Sequence, residues 1–169
     1  MKKIAVLVLA LTLALCAAGA MAEIKLGQVQ CAAHGTKCFA VITAAVDGDK
    51  IAAAYIDEYQ LMDKTATVSV PNAAAMFGEE ADNLLASKRV NSEYYSDMMA
   101  SHAGATVKLD ANYSAIEAHV AGMTVADLEA EISGFGDDSA KAVDAVSGCT
   151  LQDTLGYLKG ILDAAKAAK

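Results

Sequence analysis

Several absences narrow the reading before any motif is considered. No C-x-x-C-H occurs in the 169-residue chain, which excludes covalent c-type haem. Gly-x-Ser-x-Gly, His-Glu-x-x-His and a glycine-rich phosphate loop are all missing, so hydrolase and nucleotide-binding readings have no support. Histidine is scarce: His34, His102 and His119 are far apart and share no helical face, which predicts surface or capping roles. Cys31, His34 and Cys38 offer three ligands in a C-x2-H-x3-C spacing that matches no standard zinc pattern. Beyond residue 22 no apolar run is long enough for a membrane span. Basic residues are also few. Two of the thirteen lie in the first 22 positions, so residues 23–169 carry eleven against 21 acids, a formal charge of −10 that repels nucleic acid and anionic lipid. The adjacent acids Glu79-Glu80 and Asp137-Asp138 diverge on a helix or in a loop and read as solvation rather than acid–base machinery.

What is present begins with an export signal. Lys2 and Lys3 precede an apolar run over 4–15, and Ala20-Met21-Ala22 has the small-x-small pattern that signal peptidase cuts. This predicts a signal peptide over 1–22, cleavage before Glu23 and an extracytoplasmic address, secreted, periplasmic or associated with the cell envelope. Leu15 stands where lipoprotein processing at Cys16 requires a small residue. An uncleaved anchor is the alternative. Residues 23–169 then form one domain of ordinary size, not membrane-spanning. Outside the cytoplasm a disulfide can persist, and one between Cys31 and Cys38 would close a short loop worth roughly 2–3 kcal/mol. Cys149 would remain unpaired.

The first half of this domain reads as strands over 29–33, 39–46, 51–59 and 65–70, rich in β-branched and aromatic residues. Asp47-Gly48 between the second and third predicts a tight hairpin and an antiparallel meander. In the third strand Ile51, Ala53, Tyr55, Asp57 and Tyr59 alternate with Ala52, Ala54, Ile56 and Glu58, and the pattern leaves open which face is buried. After Pro71 the periodicity becomes helical. Helices are predicted over 72–85, 92–101, 110–120 and 124–132, the last opened by the capping-box variant Thr124-x-x-Asp127. The stripe Tyr94, Tyr95, Met98 and Met99 reads as core. Residues 134–138 read as a surface loop and 142–146 as an extended segment. A final helix carries Leu151, Leu155, Leu158, Ile161 and Ala165 on one stripe, with Gly156 and Gly160 one turn apart, which predicts a close approach to the sheet. The fold class is therefore α+β, an antiparallel sheet from the N-terminal half covered by helices from the C-terminal half.

One short stretch carries a functional reading. Thr150 falls where the final helix is predicted to begin, a position that favours phosphate through unpaired N–H groups and the helix dipole, and Gly148 allows close backbone approach. The same residues also read as an ordinary helix start, with Thr150-x-x-Asp153 as a capping-box variant. The sequence Asp144-Ala145-Val146-Ser147-Gly148-Cys149-Thr150 resembles the flavinylation motif of the FMN-binding domain family, an acidic residue, a short spacer, then Ser/Thr-Gly-Ala-Thr/Ser. Asp144, Ser147, Gly148 and Thr150 match, and Cys149 stands in place of the usual Ala. More weakly, the hairpin around Asp47-Gly48, residues 78–95, the turn over 121–124 and the final helix are similar to uncharacterised secreted bacterial proteins near that family. The resemblance implies an exported electron-transfer domain with FMN joined to Thr150 through a phosphoester, placed there from FAD by a separate flavin transferase. It also implies a redox partner protein in the cell envelope, and a carrier rather than an enzyme with its own substrate. Two alternatives belong to other classes. One is a flavin-free secreted binding or structural module of the same fold. The other is thiol redox chemistry at Cys149, activated by a nearby helix N-terminus.

Overall fold

A computed structural model describes residues 23–74 and 77–169, so the predicted signal over 1–22 lies outside the described residues. Strands β1 (Lys25–Cys31), β2 (Cys38–Asp47) and β3 (Lys50–Asp63) form the expected antiparallel meander. The β2–β3 hairpin closes at Asp47 opposite Lys50, with Gly48 at φ +63°, a left-handed conformation that costs glycine little. A bulge follows at once. Ala45 faces Ala53 but Val46 faces Ile51, so Ala52 is squeezed out and Ile51 turns to the same side as Ile56 and Glu58. That side is the buried one: Ile51, Ile56 and Glu58 are fully buried, whereas Tyr55 is exposed.

Two sequence expectations fail next to β3. The strand expected over 65–70 is a turn, because the Asp63 carboxylate accepts from both the N–H (2.7 Å) and the hydroxyl (2.6 Å) of Thr65, and the Asp63 carbonyl accepts from Ala66 and Thr67 N–H. Such local side-chain bonds offer the backbone an alternative to the ladder, and they hold the Asp63 carboxyl below its usual pKa. The helix expected over 72–85, of which residues 75 and 76 lie outside the described residues, is replaced by β4 (Glu79–Glu80) and β5 (Asn83–Ser87). Asn72, Gly78 and Ala81 all have positive φ, which a right-handed helix cannot accommodate, and β5 is recruited by a distant partner, pairing with β3 from Tyr59 opposite Ser87 to Asp63 opposite Asn83. The sheet is antiparallel throughout, in the order β1-β2-β3-β5-β4.

Five helices follow: α1 (Ser92–Ala103), α2 (Leu109–Val120), α3 (Val125–Phe135), α4 (Ser139–Ala145) and α5 (Thr154–Lys166). The fold is thus α+β, with the helices in the C-terminal half. Thr124 caps α3 as expected, accepting from Asp127 N–H at 3.0 Å. The segment expected to be extended over 142–146 is instead mostly α4, started by the Asp138 carboxylate, which accepts from Ala140 N–H at 3.1 Å. Where β3 lacks a strand partner, α2 and its neighbours complete the edge: Glu117 accepts from Ile56 N–H (2.7 Å), Arg89 donates to Ile56 O (2.7 Å), and Met123 O accepts from Ile51 N–H (2.9 Å). Helix α5 packs on β1 and β2, and its contact is as close as the glycine spacing predicts. A Cβ on Gly156 would stand 2.2 Å from Ala33 O, and one on Gly160 2.4 Å from Ile42 Cδ1. The core between sheet and helices centres on Ile42, Ile56, Ile116, Leu128, Leu158 and Ile161, all fully buried. Among the described residues no helix is long and apolar enough to cross a membrane.

Candidate functional site

The alternation of β3 carries Glu58 inward with Ile56, and the chain leaving β5 brings Lys88 beside it, its N–H donating to Glu58 O at 2.7 Å. Both side chains are out of water, Lys88 1 % exposed and Glu58 0 %. The Lys88 ammonium donates to Glu58 Oε2, which also accepts from the Tyr157 hydroxyl of α5 at 3.0 Å. The other carboxylate oxygen, Oε1, is buried with no hydrogen-bond partner among the described residues. Tyr113 of α2 meets Tyr157 edge to face at 5.3 Å between centroids, with hydroxyls 3.4 Å apart, and the Tyr95 ring of α1 lies 4.5 Å from Lys88 Nζ. Burial alone would lower the Lys88 pKa, but the Glu58 carboxylate together with Tyr95 offsets this, and the ammonium is held above its ordinary range. Burial, reinforced by Tyr113 and Glu58, raises the Tyr157 phenol well above its usual pKa, and burial beside Glu58 does the same to Tyr113.

A cavity of about 370 Å³ opens above this cluster. Lys88, Tyr95 and Tyr157 line it from below, and Met99, Leu109 and Leu151 supply apolar wall. The stripe Tyr94, Tyr95, Met98 and Met99 packs as core, as expected, with Tyr95 buried and the other three partly buried against it, and Tyr95 and Met99 also serve as cavity wall. Thr150, His34 and Asp153 form an exposed or half-exposed edge, where His34 Nδ1 lies 2.6 Å from Asp153 Oδ2 and ties the β1–β2 loop to the segment before α5. Volume and lining fall at the small end of the range for small-molecule sites.

The five residues predicted as a site are separated by the fold. Asp144 is exposed in the last turn of α4, and Ser147 and Gly148 form an exposed turn. Gly148 has φ +84° with only the Ala115 Cβ near a would-be side chain, so backbone conformation rather than close approach requires the glycine. Cys149 is buried with Sγ 3.1 Å from Thr154 Oγ1. Only Thr150 of the five lines the cavity. It does not begin α5, as expected: the helix starts at Thr154 after Asp153, and the nearby Thr154, Gly156 and Tyr157 N–H groups already donate to Leu151 O and Asp153 O. The capping box expected from Thr150 to Asp153 does not form. Asn112 of α2, fully buried, fixes Thr150 instead, accepting from its N–H at 2.7 Å and its hydroxyl at 3.3 Å. Sequence reasoning missed Asn112, Glu58, Lys88 and Tyr157. The available signal was an acid alternating with Ile56 in a strand.

Among the described residues the three thiols, Cys31, Cys38 and Cys149, are free. Cys31 faces Ala40, two residues along β2 from Cys38, which puts the two cysteines diagonally out of register. Diagonal neighbours stand roughly 7–8 Å apart, beyond ordinary disulfide reach, and the Cys31–Cys38 bridge that the sequence left open is not formed. Burial, with Glu58 near, pushes the Cys38 thiol up to about 11 despite Lys88, and burial with Asp163 also raises Cys31. At pH 8 roughly one Cys38 in a thousand is then thiolate. Iodoacetamide should therefore label folded Cys38 slowly, accelerating toward pH 11. Cys149, packed against Thr154, should be slowest, and rapid labelling there would restore the thiol-redox reading. His119 pairs with Glu131 at 3.0 Å, and His102 Nδ1 lies 2.9 Å from Met98 O. Among the described residues no group of three or more His, Cys, Asp or Glu is arranged to hold a metal ion. Comparison with family models, with curated proteins and with solved structures returned no match to this chain.

Proposed function

We propose that the protein is an exported electron carrier that holds FMN through a phosphoester on Thr150, with the flavin ring over the cavity. The observation carrying this reading is that Thr150, the last residue of the 144–150 motif, is exposed at the edge of a cavity with aromatic and apolar walls. The residues present fit the group in two respects. The Thr150 hydroxyl has one long hydrogen bond, at 3.3 Å, and is open to a transferase. Tyr95, Tyr157, Met99 and Leu109 give the cavity an aromatic and apolar lining of the kind a flat aromatic ring packs on, with Met99 the most accessible of the four. When bound, FMN supplies the electron chemistry and the chain supplies placement and electrostatics.

The Thr154 and Gly156 N–H groups at the start of α5 are already engaged, which weakens the helix N-terminus as a phosphate cradle. A covalent bond is then what retains the cofactor, and retention matters most outside the cytoplasm, where a dissociated flavin is lost. Attachment forms an Oγ1–P bond at Thr150 as the P–O–P link of FAD breaks with release of AMP, the hydroxyl proton passing to the flavin transferase. Electrons then pass to and from a redox partner protein in the cell envelope. Co-expression with a flavin transferase, followed by intact-mass measurement, tests the reading. The expected product is yellow and heavier by one FMN less water, and Thr150→Ala abolishes the increment entirely. A colourless wild-type protein of unchanged mass would overturn the proposal in favour of a flavin-free binding module.

A further inference from the structure

The Glu58–Lys88 pair is unexplained by stability. A buried ion pair is commonly matched or bettered by apolar residues of similar volume, and here one carboxylate oxygen is left without a donor as well. The arrangement is also directional. Lys88 and Tyr157 line the cavity, whereas Glu58 lies behind them and does not. The positive member of the pair is therefore the one nearer to whatever the cavity holds. With both members shielded from water, this field is weakly screened.

We infer that Lys88, held in place by Glu58, is the residue that sets the reduction potential of a redox ligand in the cavity, by facing the negative charge that reduction creates there. This rests on the flavin reading of the same site. Two electrons from a donor protein and one proton from water leave an initially neutral flavin ring with a single negative charge, and Lys88 is the lysine of the cavity lining whose field acts on it. Glu58 is a positioning residue: its Oε2 fixes the ammonium while Tyr95 covers it at 4.5 Å. The Tyr157 phenol, whose proton burial retains, adds a second donor to the same oxygen and holds the carboxylate away from the ligand.

Lys88→Met alone strands a buried carboxylate and can fail to fold, so the decisive variant is Glu58→Gln with Lys88→Met, which removes both charges together. Wild type and double variant are each co-expressed with a flavin transferase, checked for the FMN increment by intact mass, and titrated with dithionite against a reference dye. The expected result is a normally flavinylated double variant with a more negative midpoint potential. The oxidised-to-reduced ratio at fixed poise should rise at least tenfold, about 30 mV for a two-electron couple. A flavinylated double variant with the wild-type potential would overturn this inference and leave the carrier reading intact. Absence of the increment from wild type would overturn both.

Discussion

Lys88→Met by itself should lower the free energy of unfolding by about 3–5 kcal/mol, because it leaves Glu58 as an uncompensated charge in the interior. Glu58 has no exposure to water, and one of its oxygens already lacks a donor, so loss of the ammonium leaves Tyr157 as the remaining donor to the carboxylate. For a domain of this size the fall in Tm should be on the order of 10 °C. Combining Lys88→Met with Glu58→Gln should recover most of that loss, since an amide costs far less to bury than a carboxylate. Chemical denaturation of the three variants reads the difference directly. A single variant within about 1 kcal/mol of wild type would mean that the pair is hydrated in solution and that the interior described here is wrong at its centre.

The second large effect concerns the glycines of α5. Glycine in a helix interior ordinarily costs about 1 kcal/mol against alanine, so Gly156→Ala should help if space allowed. It does not: the new Cβ would lie 2.2 Å from the Ala33 carbonyl oxygen, with the Ala33 C and Cα also within 3.2 Å, and backbone cannot rotate aside as a side chain can. The helix would have to lift from the β1–β2 end of the sheet, a net loss of about 2–3 kcal/mol of the overpacking kind. Gly160→Ala should be milder, because its nearest neighbours are the movable tips of Ile42 and Cys31. Gly134→Ala provides the opposite sign. It lies in α3 with nothing within 4 Å, so it should be neutral or stabilise by up to about 1 kcal/mol. Thermal unfolding of the three variants checks the order, and a stabilising Gly156→Ala would contradict the close packing of α5.

The two glycine positions illustrate how far local pattern reaches. Gly156 and Gly160 one turn apart predicted a close contact because no other advantage offsets their cost to a helix, and the contact is there. The Asp47-Gly48 hairpin and the Thr124 cap are equally local, each decided by a backbone conformation or a hydrogen bond within four residues. Where the pattern misled, a longer-range partner or a competing local bond decided. Residues 83–87 carry apolar spacing compatible with a helix, but β3 supplies unpaired backbone groups that only a strand can meet. Asp63 ended one strand through its own side chain, and Asp138 started an unexpected helix in the same way.

The functional stretch shows the same division. Residues 144–150 resemble a flavinylation motif, and Thr150 does reach the cavity. Its anchor, however, is Asn112, 38 positions earlier, rather than the start of α5. Nothing in the spacing around Thr150 indicates that an ion pair lies beneath it. That pair joins residues 30 apart, and its third member, Tyr157, stands 99 positions from Glu58.

By itself, then, the sequence determined the α+β class, the meander, the helices α1, α2, α3 and α5 and the close contact at the glycines, since each follows from side-chain periodicity or from φ preferences acting within a few residues. Only the tertiary structure decided the fourth and fifth strands, the free thiols, the position of Thr150 outside the helix and the buried Glu58–Lys88–Tyr157 cluster. These depend on which backbone edges and charged groups meet across the core once water is removed, and a linear reading contains no term for that meeting.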